Sequence, residues 1–211
     1  MTQQIGFWES IVDILTLKPV FLIGLLILAS FLFWLTRKNK NSSKLINILS
    51  ALLLFYYMSF TFFNVFGVPT LRELNRISGF GESIFNPNIN LIPFIDGINA
   101  GYILNILCFI PIGFLCPLIS NKYRKFSYSL LLGFGTSLLI EISQLFTVAR
   151  ATDIDDLISN VLGMILGYFL IEVILRMINH SSNKILDKTY GFSWMIPVLV
   201  VFIAFFNTFF S

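Results

Sequence analysis

The residues best suited to chemistry lie between positions 141 and 160. Glu141 and Gln144 close one apolar run, Arg150, Asp153, Asp155 and Asp156 occupy a short polar stretch, and Asn160 lies inside the next apolar run. Carboxylates and amides are hard oxygen donors of the kind that hold Mg²⁺ or Ca²⁺ against a phosphate, and a guanidinium can hold a phosphate oxygen. Glu141, Asp153 and Asp156 are the metal ligands if a divalent cation binds. The set has no His, Cys or Ser–base pair, so no activated nucleophile is visible and a carboxylate base is the chemistry left. The same groups would also serve a binding cleft or a structural hydrogen-bond network between helices, and the sequence leaves both open.

Spacing says which side chains share a face. Gly133, Ser137, Glu141 and Gln144 follow one another at four, four and three residues, so they line one side of a helix. Asp153, Asp156, Asn160, Gly163 and Gly167 recur at three, four, three and four, a stripe with carboxylates at its top and a Gly-x-x-x-Gly pair below. Thr152 or Asp153 can cap that helix, and its positive N-terminal dipole favours the carboxylates of the first turn. Asn160 lies a turn deeper and is not explained by capping. Asn105, about a turn inside a third apolar run, reaches a similar depth if the three helices pack together. Arg150 is then the natural counter-ion of the cluster. Glu172 stands apart, four residues before Arg176, with which it can pair and snorkel.

The elements that must position these residues are transmembrane helices. The chain has 211 residues, of which 56% are hydrophobic and only 12% charged, with a mean hydropathy of +0.84. A soluble domain of this length carries roughly twice that share of charge and could not hide so much apolar surface from water. Six apolar runs stand out: Leu17 to Leu35, Leu45 to Val68, Gly101 to Ile119, Phe126 to Phe146, Leu157 to Ile178 and Trp194 to Phe210. Each approaches the ~20 residues a helix needs to cross the bilayer. Period-two alternation is missing, which excludes a β-barrel. The expected fold is an all-α integral membrane bundle of about six helices.

Charge sets the expected orientation. Arg37, Lys38, Lys40 and Lys44 follow the first run; Lys122, Arg124 and Lys125 follow the third; Arg176, Lys184 and Lys188 flank the end of the fifth. Lys18, Arg72, Arg76 and Arg150 fall on the opposite side. The positive-inside rule therefore predicts both termini outside, with the polar cluster near the outer face. Before the first run, Ile5, Trp8, Val12 and Leu15 recur at helical spacing, which predicts a short interfacial helix. It is not a signal peptide, because the basic residues follow the apolar stretch and no small-residue cleavage site appears. The loop from Pro69 to Ala100 is long for a bundle and mixes turn residues with apolar ones, so it is expected to dip into the interface above the cluster.

Cys108 and Cys116 lie within one apolar run and read as buried free thiols. His180 reads as a solvated loop residue. No basic stripe on a polar surface points to nucleic acid, and no phosphate-binding glycine fingerprint points to nucleotide-driven pumping. Transport would need a discontinuous helix at mid-membrane, for which only Pro111 and Gly113 in the third run offer a break.

Three blocks together resemble the VanZ-like family of bacterial membrane proteins. Asn90-Leu91-Ile92-Pro93-Phe94 is similar to the family's Asn-Leu-x-Pro-Phe signature. Asn105, Phe109, Ile110, Pro111 and Gly113 match its Asn-x-x-x-Phe-Ile-Pro-x-Gly helix. Glu141 and Gln144, then Asp153, Asp156 and Asn160, then Gly163 and Gly167, match its Glu-x-x-Gln, Asp-x-x-Asp-x-x-x-Asn and Gly-x-x-x-Gly series. Each block is short, and it is their joint order and spacing that is specific. The resemblance implies a core over residues 45–178, with 1–44 (interfacial helix and first transmembrane helix) and 179–211 (cytoplasmic loop and last transmembrane helix) as additions. It further implies a bacterial cytoplasmic-membrane protein of the cell envelope, and a link to the glycopeptide teicoplanin through the member that gives the family its name. It carries no reaction across. The expected function is non-enzymatic: an outer polar cleft of Asn105, Glu141, Gln144, Arg150, Asp153, Asp156 and Asn160 that engages a cell-wall precursor or a glycopeptide antibiotic. The competing expectation is a Mg²⁺- or Ca²⁺-assisted enzyme acting on a lipid-linked envelope substrate.

Overall fold

The computed structural model describes residues 19–38, 44–85, 87–95, 97–147, 150–179 and 193–211. The expected interfacial helix before residue 19 and the loop carrying His180, Lys184 and Lys188 lie outside the described residues. Among the described residues there are seven α-helices: α1 (Val20–Lys38), α2 (Lys44–Asn64), α3 (Leu71–Gly79), α4 (Ala100–Ile119), α5 (Phe126–Gln144), α6 (Ile154–Asn179) and α7 (Met195–Phe209). Two short strands, β1 (Ile89–Asn90) and β2 (Thr152–Asp153), pair in parallel with Ile89 opposite Thr152 and Asn90 opposite Asp153.

Among the described residues four helices are long and apolar enough to cross a membrane: α2, α4, α5 and α6. The apolar stretches of the other two expected spans are shorter, Val20–Leu35 in α1 and Met195–Phe209 in α7. Fifteen residues of helix reach only about 22 Å at 1.5 Å per residue, less than the hydrocarbon thickness. Large apolar side chains stand exposed along these helices, among them Leu26, Leu131, Leu166 and Phe169. An apolar exterior of this extent marks a surface solvated by lipid.

The tightest pairing joins α4 to α6, which run in the same direction. Its cause is glycine. A Cβ on Gly163 would collide with the Ile106 carbonyl oxygen, one on Gly167 with that of Ile110, and one on Gly113 with that of Met164. The Gly-x-x-x-Gly pair is therefore consumed within one chain, where it lets two backbones touch. Gly133 brings α5 onto α6 in the same way, against the Met164 side chain. On the other side α2 packs on α7 and α4, and α1 on α7. A run of ring contacts, Phe205 to Phe62 at 5.8 Å, Phe62 to Phe66 at 6.4 Å and Phe66 to Phe109 at 5.6 Å, ties α7, α2 and α4 into one core.

Three expectations need correction here. Pro111 and Gly113 do not break the third span: α4 runs unbroken through both Pro111 and Pro117. Membrane helices tolerate the lost N–H where neighbours bury the backbone, and Gly113 is spent on helix contact. Glu172 does not pair with Arg176. Its Oε1 accepts from Arg124 Nε at 3.2 Å, because the short 3₁₀ turn Asn121–Arg124 folds against α6, where the Tyr168 hydroxyl also donates to the Arg124 carbonyl at 2.6 Å. The loop after α2 is not all loop: α3 starts at Thr70, whose hydroxyl oxygen accepts from Glu73 N–H at 3.2 Å, the first half of a Thr-x-x-Glu capping box.

The glycine contacts make a paired prediction. Gly163→Ala, which drives a methyl into backbone, should destabilise the detergent-solubilised protein by about 1–3 kcal/mol or more. Gly135→Ala meets nothing within 4 Å and should stabilise it slightly, by about 0.5–1 kcal/mol, because alanine is the better helix former. Thermal melts of both variants against wild type check the pair; equal melting temperatures would refute the close-approach account.

Candidate functional site

The end of the bundle where α4 and α6 begin and α5 finishes gathers the polar residues singled out from the sequence. Asp153 stands just before α6, and its Oδ1 accepts from Asp155 N–H at 2.9 Å, so it caps the helix. Its own N–H donates to Glu141 Oε2 at 3.0 Å, and the Thr152 hydroxyl donates to the Glu141 carbonyl at 2.9 Å. Glu141 thus holds the entrance of α6 against the last turn of α5. One turn deeper, Asn160 Nδ2 donates to Ser137 Oγ at 3.0 Å. Across α4, Asn105 Nδ2 donates to Asp156 Oδ1 at 2.7 Å. The stripe read from spacing is real, and each polar member of it meets a different neighbour.

Two residues turn instead towards α2. Gln144 Nε2 donates to the Phe66 carbonyl at 3.1 Å, and Arg150 donates to the Val65 carbonyl at 3.0 Å. Carbonyls past a helix C-terminus lack helical partners and carry the negative end of the dipole, so a guanidinium is well placed there. Gly67, at φ +62°, makes the turn that follows, and its open α-carbon lies under the Arg150 side chain. This qualifies the counter-ion expectation. Among the described residues Arg124–Glu172 is the ion pair; Arg150 bonds directly to backbone and acts on Glu141 and Asp156 as a counter-charge at longer range.

The loop after α3 is fastened to the same cluster. Besides the β1–β2 pairing, Asn90 Nδ2 donates to Asp153 Oδ2 at 3.1 Å, and Thr152 N–H donates to the Asn88 carbonyl at 2.8 Å. Both oxygens of Asp155 accept from the Phe94 N–H at 3.0 Å. Phe94 itself has φ +59°, a left-handed conformation unusual for a bulky residue, so the aspartate helps hold a backbone that would otherwise relax. Past these anchors the loop exposes Leu91, Ile92, Phe94, Ile95 and Ile98. Asp155 is the functional position that periodicity misses. It lies off the Asp153–Asp156–Asn160 stripe, and its partner is 61 residues away, a pairing that only the fold reveals.

Burial is nearly complete at the centre, with Glu141 and Gln144 each 3% exposed and Asn160 1%. Each keeps one oxygen without a protein donor: Glu141 Oε1, Gln144 Oε1 and Asn160 Oδ1. Three buried acceptors left over in one patch are costly and unusual. The cavity at this end is about 320 Å³, and its wall includes Gly67, Thr70, Arg72, Glu73, Thr147 and Arg150. Of the residues expected to line a cleft, Arg150 reaches it, while the carboxylates are occupied as hydrogen-bond acceptors. Among the described residues no group of three or more His, Cys, Asp or Glu side chains could hold a metal ion, so Glu141, Asp153 and Asp156 do not form a ready ligand set.

Removing the Asp155 carboxylate should free the apolar loop without unfolding the bundle. In Asp155→Ala the Phe94 amide loses a charge-assisted bond of about 1.5–3 kcal/mol. Hydrogen exchange at Phe94 should quicken by tenfold or more, while α4 and α6 keep their protection. Unchanged exchange at Phe94 would show that the loop is held elsewhere.

The model of the VanZ/LLP1 family matches residues 20–176, from the first described helix to the last turn of α6. No curated protein and no solved structure matches the chain. The match takes in α1 as well as the motif blocks, stops short of α7, and spans well over half of the sequence. This protein belongs to the VanZ/LLP1 family.

Proposed function

We propose that this protein is a multi-pass protein of a bacterial cytoplasmic membrane whose outer end binds a cell-wall precursor or a glycopeptide of the teicoplanin kind, altering susceptibility without catalysing a reaction. In this reading all six apolar helices span, α1 and α7 with local thinning of the bilayer. Both termini face outward. The positive-inside rule supports that orientation, since Arg37, Lys44, Lys122, Arg124, Lys125 and Arg176 all belong to the end opposite the polar cluster.

One observation carries the binding role: a 320 Å³ cavity walled by Arg72 and Arg150 together with Thr70, Glu73 and Thr147. Two guanidiniums suit carboxylate or phosphate groups. Acceptor oxygens suit the N–H and O–H donors of peptide and sugar. Envelope precursors and glycopeptides offer both. The exposed apolar residues Leu91, Ile92, Phe94, Ile95 and Ile98, on a loop fastened by Asp153 and Asp155, would rest in the outer membrane–water interface.

The test is teicoplanin susceptibility of cells carrying wild type, Arg72→Gln, Arg150→Gln and the double variant at matched membrane levels. Wild type should protect, and each lost guanidinium should weaken binding by about tenfold, the worth of one charge-assisted contact. Glu141→Gln and Asp156→Asn keep an acceptor oxygen for Asp153 N–H and for Asn105 and lie outside the cavity wall, so they should insert normally and keep their protection. Full protection in the double arginine variant would dismiss this cavity as the site.

A further inference from the structure

A second cavity opens on the side of the bundle and has its polar mouth at the end opposite the polar cluster. α5 packs on α6, whereas α7 packs on α1 and α2, and the two leave a groove of about 470 Å³ between them. Its wall is apolar along both helices, from Tyr128 to Ile142 on α5 and from Val198 to Phe202 on α7. Along α5 that is about 21 Å at 1.5 Å per residue, the reach of an extended acyl chain through one leaflet. Gly135 sits midway on the groove wall, and a Cβ there would meet nothing within 4 Å. It differs in this from Gly133, two residues earlier, whose missing side chain is filled by Met164.

The groove has one charged end. Lys122 Nζ lies 4.7 Å from the centre of the Tyr128 ring and 4.2 Å from that of Trp194. The wall between them is set by the Tyr123 hydroxyl, which donates to the Trp194 carbonyl at 2.8 Å; burial pushes the Tyr123 phenol up from its ordinary range, so it stays a donor. The ammonium is held by ring faces, and among the described residues no carboxylate lies within ion-pairing distance of it. Tyrosine and tryptophan beside a lysine are the side chains that sit at headgroup depth. A hydrocarbon-lined groove in a bilayer fills with lipid tail, and a cation fixed at its mouth selects the headgroup.

We infer that the groove between α5 and α7 binds one acyl chain of an anionic phospholipid, with its phosphate on Lys122. Two features separate this from ordinary boundary lipid: the fixed slot kept open at Gly135, and a positive charge with no carboxylate partner among the described residues. Cytoplasmic-leaflet anionic lipids meet both requirements. The inference rests on the orientation proposed above, with this end cytoplasmic, and uses none of the residues of the outer cavity.

The full-length protein, reconstituted into nanodiscs of phosphatidylglycerol and phosphatidylcholine in equal amounts and then transferred to detergent, would be examined by native mass spectrometry for retained lipid. Wild type should retain phosphatidylglycerol in preference to phosphatidylcholine. Lys122→Gln should cut that preference by about fivefold, the contribution of one lysine near an anionic surface, and Lys122→Arg should keep it. Lys125→Gln, a change of equal charge outside the groove, should leave it intact. Gly135→Leu, which fills open space and favours helix, should expel both lipids. Equal retention of the two lipids by wild type, an equal effect of Lys125→Gln, or undiminished retention in Gly135→Leu would each overturn the inference.

Discussion

Backbone contact between α4 and α6 governs the rest of the structure. Two helices whose carbonyls face bare α-carbons, Ile106 against Gly163 and Ile110 against Gly167, cannot slide without a collision. In lipid, where apolar burial gives little net drive to bring helices together, such close approach is the main source of cohesion. It also fixes depth. With α4 and α6 locked side by side, Asn105 falls within reach of Asp156, and the loop before α4 is delivered to the strand before α6.

Polar groups at that end then do mechanical work. Glu141, Asp153, Asp155 and Asp156 each accept an N–H from another segment, so four carboxylates join α5, α6, α4 and the loop above them. Hydrogen bonds to charged acceptors are the stronger kind, and in surroundings poor in water there is little to compete for them. A cluster that reads in sequence like a ligand set is thereby largely occupied as a brace. What stays open at this end is the cavity with Arg72 and Arg150.

The opposite end is built from different chemistry. There the Arg124–Glu172 pair and the Tyr168 hydroxyl pin a 3₁₀ turn to α6, and the Ser120 and Ser193 hydroxyls meet at 3.1 Å. Cation–aromatic contact at Lys122, not carboxylate pairing, places a positive charge at the mouth of the lateral groove. One end of the bundle is closed by acids and amides, the other by bases and rings.

The sequence by itself determined the helical class, the positions of the helices to within a few residues, the stripe of Asp153, Asp156, Asn160, Gly163 and Gly167, and the family motifs. All of these follow from periodicity and hydropathy, which are local properties of a chain in lipid. The helix α3, with Thr70 as its cap, lies inside the stretch that the sequence presents as a loop. Tertiary structure decided the partners. That Glu172 meets Arg124 and not its helical neighbour Arg176, that Arg150 hydrogen-bonds the Val65 carbonyl, and that Asp155 holds Phe94 all depend on segments far apart in sequence. Spacing tells which face a side chain occupies; what faces it is set by which helices the glycines allow to touch.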